Sequence, residues 1–399
     1  MKRHGLMILF LVFLTAAAKA EPLYSPTWGF RLDLPGGYEL SGGDGKNQFS
    51  FVSSFNTHFD MAVYTGADSV PALAEELMKK LSSGGAVHSF TFNGRQAALL
   101  ELRFTNPRRG SGYLSGWALC MELEQEKRPL LTAVAYGPER KELSGLHLSI
   151  LDSIEGGEGD HNLPGPVTEY FYPRGEWKLE KLARTTRHAF FRENDARGAQ
   201  ALVDREFEVM KLYANSPQWQ EAWKRFYRMI HKDSFSRLTD AAFVLERLWN
   251  NPAPEPGEKE IRAEETGRLG ARPEEAAAIA AKTLEWVQGF NYERNLFGSD
   301  FVNLVSAAQE GRGDCDSRAM LWAIILEQAN IAAGIMVSRE YGHAMGLADI
   351  SGEGARFPMK DGNGRELKWL VAETTAPVPL GRIGEGVSEI PKWLGMVFN

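Results

Sequence analysis

The stretch 311–337, GRGDCDSRAMLWAIILEQANIAAGIMV, constrains this chain more than any other. Gly311 and Gly313 allow the backbone a tight approach. Asp314 is a good helix cap, because its carboxylate accepts from the unpaired N–H groups of a first turn. A helix from Cys315 to about Ala329 follows, and Ala319, Leu321, Trp322, Ile325 and Leu326 require it to be covered. "GIMVSRE" and "GHAMGLADI" alternate like adjoining strands, with His343 near the start of the second. The sequence therefore predicts a buried helix feeding a sheet, with a cysteine at the first helical position.

That position has chemical consequences. A helix amino terminus carries about half a positive charge. A thiolate placed there is stabilised, and its pKa falls further from the ordinary ~8.5 if an imidazole joins it. The free N–H groups of the same turn suit a developing oxyanion. A strand beside the helix brings His343 toward the sulfur, and a third group should orient the second ring nitrogen. "KWLVAETTAP" offers Glu373, on a strand after the Asp361-Gly362-Asn363-Gly364 turn; Asp349 and Asp361 are rivals for that role. Asp314 and Asp316 read as first-turn acids that steady the helix end. Asp316 opposes thiolate formation if it lies close, and Arg318 is a candidate partner for either acid.

The blocks "GRGDCDSRAMLWAIILEQANIAAGIMV", "YGHAMGLADI" and "WLVAETTAP", preceded by "WVQGFNYERN", resemble the transglutaminase-like superfamily over about residues 270–378. The resemblance implies a papain-like fold with Cys315 as nucleophile, His343 as base and Glu373 as orienting acid. Asp is more usual than Glu at the third place, and the interval from His343 is long, which an intervening hairpin accounts for. Papain-like sites often carry a Gln upstream of the cysteine, so Gln288 is a candidate oxyanion donor; it reads equally well as a polar helix-end residue fixing the turn at Phe290. The resemblance implies acyl transfer through a Cys315 thioester. Hydrolysis of a peptide or amide bond is the first expectation, making the chain a cysteine peptidase of transglutaminase-like type. A protein-crosslinking transglutaminase and a catalytically silent assembly module of the cell envelope are the alternatives.

The rest of the chain divides by pattern into an α+β multidomain protein. Residues 1–20 join a basic start (Lys2, Arg3, His4) to a short apolar run ending in Ala18-Lys19-Ala20, which reads as a secretory signal peptide. Its removal leaves 42 basic against 52 acidic residues, a formal charge of −10. The mature protein is thus expected to be exported, periplasmic or secreted, with no stable membrane insertion. Residues 21–155 alternate as strands with two covering helices (Pro71–Leu81 and about Arg140–Ile154), and Asn93-Gly94 marks a hairpin. This order resembles the PsbP/Mog1-like α/β/α sandwich and carries no catalytic motif. Residues 156–175 read as a Gly/Pro/acid linker, 176–260 as a helical middle, and 261–399 as the papain-like, transglutaminase-like domain.

Composition narrows the partners. No basic excess or Lys/Arg run points to nucleic acid, and the aromatics between Phe190 and Tyr227 read as helix core. A protein or peptide substrate is expected. His-Glu-x-x-His, Cys-x-x-Cys and Gly-x-Ser-x-Gly patterns are absent, so no metal or cofactor is expected. The two cysteines, Cys120 and Cys315, leave open a disulfide in an exported protein. Cys120 lies on an alternating strand and otherwise reads as a small core residue.

Overall fold

The apolar–polar alternation of the first third builds a seven-stranded antiparallel sheet. The strands of three or more residues are β1 (Tyr38–Gly43), β2 (Gln48–Ser53), β3 (His58–Tyr64), β4 (Val87–Phe92), β5 (Arg95–Thr105), β6 (Tyr113–Glu122) and β7 (Leu130–Pro138), in the order β1-β2-β3-β7-β6-β5-β4. This computed structural model describes residues 22–105, 112–250, 262–263, 274–294, 299–360 and 365–398. The expected leader, the end of the expected helical middle (251–260) and the Asp361–Gly364 turn lie outside the described residues.

Asn93 and Gly94 turn β4 into β5 with φ of 45° and 74°, the left-handed pair that a two-residue hairpin needs, and Phe92 faces Arg95 across it. Helix α1 (Val70–Leu81) starts at Ser69, whose side chain accepts from the Ala72 amide, and covers Ala98, Leu100, Leu102 and Cys120. Helix α2 (Lys141–Asp152) covers Ala97, Leu99, Leu119 and Ala133. Successive side chains of a strand point to opposite faces. The unbroken apolar run of β5, Ala97 to Leu100, therefore needs a helix on each side.

Residues 156–175 are packed rather than a solvated linker. Gly156, Asp160, Val167 and Thr168 are buried, and α3 (Pro166–Phe171) lies among them. Their composition hides the reason: Asp160, and Asp152 just before the segment, have internal partners. Arg95 pairs with Asp160, and Asp152 Oδ1 accepts from the Thr168 amide at 2.7 Å. His161 is exposed beside Glu155. The helical middle also begins differently from expectation, with a hairpin of β8 (Trp177–Lys181) and β9 (His188–Arg192), because Ala189 and Phe191 alternate into the core.

Helices α4 (Asp195–Leu212), α5 (Trp219–Phe235) and α6 (Thr239–Asn250) follow. Val209, Tyr213 and Ala222 join the sandwich core, whereas Leu202, Val203, Phe226, Tyr227 and Leu245 join the carboxy-terminal core. The aromatics thus serve packing, and one helix layer belongs to both cores. Arg225 fastens the junction: it donates to Asp33 O at 2.9 Å, Ser149 Oγ at 2.7 Å and Glu206 Oε2 at 2.8 Å.

The last third holds α7 (Ala276–Gln288), α8 (Leu304–Glu310) and α9 (Cys315–Gln328), with β10 (Ala333–Ser338), β11 (His343–Ala348), β12 (Arg356–Lys360), β13 (Glu366–Ala372) and β14 (Leu394–Met396). The strands form one antiparallel sheet, β12-β13-β11-β10-β14. Helix α9 lies on β10 and β11 with α7 and α6 against its other sides, so its residues from Ser317 onward are buried all round and no polar stripe is needed. Trp322 packs onto Gly346, where a β-carbon would come within 2.4 Å of Trp322 Cε3.

Candidate active site

The cysteine is delivered by a short, heavily fixed loop. Asn303 caps α8 by accepting from the Ser306 amide at 2.9 Å, and Gly311 ends it at φ 68°, a left-handed position suited to glycine. Arg312 and Gly313 then pair in parallel with Asn291 and Tyr292, which leave α7. Asp314 Oδ1 accepts from the Ser317 amide at 2.8 Å and the Ser317 hydroxyl at 2.5 Å, so Cys315 opens α9 at the first helical position. Arg318 is buried and pairs with neither neighbouring acid. It donates to Gly313 O at 3.1 Å and Phe290 O at 2.9 Å, tying the helix start to the end of α7.

His343 opens β11, and its Nε2 lies 2.7 Å from Glu373 Oε2. The other carboxylate oxygen of Glu373 accepts from the Thr375 amide at 2.8 Å and its hydroxyl at 2.6 Å. Burial raises the Glu373 carboxyl, yet the hydrogen bonds from His343 and Thr375 outweigh it and hold the group below the usual carboxylate range. Trp393 stands edge-on to the His343 ring, centroids 6.2 Å apart. Of the rival acids, Asp349 is exposed near the end of β11 and Asp361 lies outside the described residues. Gln288 donates from Nε2 to Glu373 O and Val378 O, both at 2.8 Å. Its two amide hydrogens are thereby committed to the loop that carries Glu373, leaving none for an oxyanion in this arrangement.

The backbone amide of Ala344, the residue after His343, and the Tyr292 hydroxyl both reach the sulfur as hydrogen-bonding groups that favour its thiolate. Its own proton points elsewhere: Cys315 Sγ donates to Asp316 Oδ1 at 3.7 Å. Among the described residues no hydrogen bond joins Cys315 to His343. The expectation of a lowered thiol pKa is reversed here. Burial pushes the Cys315 thiol up, and the carboxylates of Asp316 and Asp314 add to it. A helix terminus offers about 0.3–1 kcal/mol to a charge. A full like charge about 4 Å away would count for about 4 kcal/mol at an effective dielectric of 20. Burial prevails, and the partly ionised carboxylates add to it. They are perturbed in turn: burial and Asp316 push Asp314 up to about 7, and burial also raises Asp316.

Both cysteines are free, Cys120 lying within the sandwich core, where burial raises its thiol to about 12. Four neighbours of the site escape sequence reasoning: Tyr227 from α5, Tyr292, Thr375 and Trp393. Only Thr375 left a signal, standing two residues after the expected acid.

No family model matches this chain, and no curated protein matches it. Three solved structures resemble parts of it weakly. The PsbP protein CyanoP of Synechocystis shares 11% identity at a TM-score of 0.30, covering 36% of this chain and 95% of that one. A protein of Bacteroides thetaiotaomicron shares 12% at 0.24, covering 56% and 79%. LpqN, involved in cell envelope biogenesis of Mycobacterium tuberculosis, shares 12% at 0.22, covering 30% and 78%. Among the described residues no helix is long and apolar enough to cross a membrane.

Proposed function

We propose that this chain is an exported thiol enzyme of transglutaminase-like type that transfers an acyl group through Cys315, most simply to water. The observation that carries the reading is the 2.7 Å bond between His343 Nε2 and Glu373, with the amide of the next residue, Ala344, at the sulfur of a helix-first cysteine. The carboxylate fixes the ring by one nitrogen and leaves Nδ1 to take the thiol proton. Sulfur then attacks the substrate carbonyl, the thioester forms as the amine leaves with the proton from His343, and water releases the acid. The antiparallel sheet with α9 packed along it supports a papain-like core. The expected signal peptide supports export, and a protein or peptide would be the substrate.

One observation favours a silent binding module instead: the thiol proton is held by Asp316, not His343, and two carboxylates flank the sulfur. Turnover of casein-derived peptides and of a glutamine-amide donor, with and without an amine acceptor, separates the readings. The enzyme reading expects acyl release that Cys315→Ala and His343→Ala both abolish, and amine incorporation would mark crosslinking. Wild-type and Cys315→Ala proteins restoring the same envelope phenotype, with no turnover by either, would overturn it.

A further inference from the structure

Asp316 is a group at the sulfur that acyl transfer, as described, does not use. It follows Cys315 on α9, is half-buried, and accepts the thiol hydrogen at 3.7 Å. The groups facing it come from every side: Asp314 at the helix cap, His343 from β11, Asp300 from the loop before α8, and Tyr227 from α5. The Tyr227 hydroxyl is buried, turned toward Asp316, Cys315 and Asp314, and has no hydrogen-bond partner of good geometry. The nearby cations are otherwise engaged, Arg318 with two carbonyls and Arg294 with Asp300. The Asp316 carboxyl is thus the acceptor that holds the Cys315 thiol hydrogen, with the His343 ring within electrostatic reach of the same carboxyl.

We propose that Asp316 is a positioning residue that holds the Cys315 thiol in a resting orientation, turned from His343. The proposal rests on Cys315 being the nucleophile. Activation is a rotation of the Cys315 side chain that breaks the S–H contact to Asp316. The S–H bond then breaks, an N–H bond forms at His343 Nδ1, and the electron pair stays on sulfur. Asp316 neither gains nor loses a proton in that step. Burial of the sulfur, with the Asp316 carboxylate adding to it, makes the resting thiol reluctant to ionise, which keeps the nucleophile protonated until a substrate reorganises the site.

The pH dependence of Cys315 alkylation by iodoacetamide, followed on its tryptic peptide, tests this without any substrate. Asp316→Asn and the smaller Asp316→Ser remove the charge, and Asp316→Glu keeps it; thermal melts verify that each is folded. The charge-removing variants should shift the alkylation midpoint down by about one pH unit, so that Cys315 reacts about tenfold faster at pH 7. Asp316→Glu should follow the wild type. Equal midpoints in wild type and Asp316→Asn, or an Asp316→Glu shift as large as that of Asp316→Asn, would overturn the proposal. Alkylation reports the sulfur itself, whereas turnover surviving in Cys315→Ala would instead remove the nucleophile assignment.

Discussion

His343 is oriented by Glu373 through a 2.7 Å bond to Nε2, and Glu373 is in turn held on its other oxygen by Thr375. Both carboxylate oxygens are occupied, so the ring cannot flip without losing its partner. On the acyl-transfer reading, Glu373→Gln presents the ring with either an amide N–H or a single oxygen, which blurs the tautomer that leaves Nδ1 free. The expected outcome is a fall in kcat of about 10²–10⁴-fold with KM changed less than threefold, in line with the removal of such an acid elsewhere. Glu373→Asp shortens the reach by one methylene and should lie between the two. Steady-state kinetics on the same peptide decides it.

Gln288 acts one step further out. Its amide bridges Glu373 O and Val378 O across the loop that follows β13. Gln288→Ala leaves two half-buried carbonyls without these donors, and an unsatisfied buried group costs about 1–3 kcal/mol. A lowered melting temperature together with a reduced kcat is expected. Gln288→Glu should be worse than Ala, because a carboxylate would face two carbonyl oxygens. A Gln288→Ala protein with an unaltered melting temperature, a reduced kcat and weaker binding of a peptide aldehyde would return this residue to the donor role that its place in the sequence suggested.

How far the site was legible follows from what each signal depends on. Asp314, Cys315 and the helix behind them are local: a cap, a first turn and an apolar run declare themselves within fifteen residues. His343 at a strand start and Glu373 at a strand end are also local features, and the chain order suggested pairing them. What the sequence could not show is distance. Nothing around Tyr227 announces that α5 crosses the base of the site, and Trp393 arrives from the far end of the chain. The thiol environment was misjudged for the same reason. The helix dipole is a property of α9 alone, but the opposing effect comes first from the burial of the Cys315 thiol and then from the nearness of Asp316 and Asp314, which only packing decides. Likewise, the Gly- and acid-rich run 156–175 looks solvated until the positions of Arg95 and the Asp152 carboxylate are known. The sandwich was the easier case, since alternation on β5 and a turn at Asn93-Gly94 depend on neighbours in sequence.

Gly346 sits where β11 passes under the indole of Trp322. A methyl group there would overlap the ring at 2.4 Å, and both backbones are held, β11 by its two neighbours and Trp322 by a 3.1 Å bond from its N–H to Ala280 O. Gly346→Ala should therefore destabilise the protein by about 1–3 kcal/mol through overpacking. Combining it with Trp322→Phe, which makes room, should recover part of that loss. Denaturant midpoints of the two single variants and the double variant measure the coupling, and strict additivity would contradict the contact.

Asp314 ties stability to pH in a direction opposite to most acids. Its folded pKa is raised to about 7 by burial and by Asp316, while the unfolded chain holds it near the ordinary 3.8. Between those values the folded form binds the proton that the unfolded form releases. Its contribution to stability is therefore complete below about pH 4 and declines as pH rises through 7. Asparagine caps a helix as well as aspartate and does not titrate. Asp314→Asn should thus gain on the wild type between pH 4 and pH 7, by up to about 1.4 kcal/mol for each unit of the folded-state shift, with sharing of the proton by Asp316 reducing the full amount. Melting temperatures of both proteins at half-unit steps from pH 4 to 8 supply the comparison. Parallel curves across that window would mean that Asp314 is already ionised in the folded protein, and that the acid pair beside Cys315 is better solvated than its packing implies.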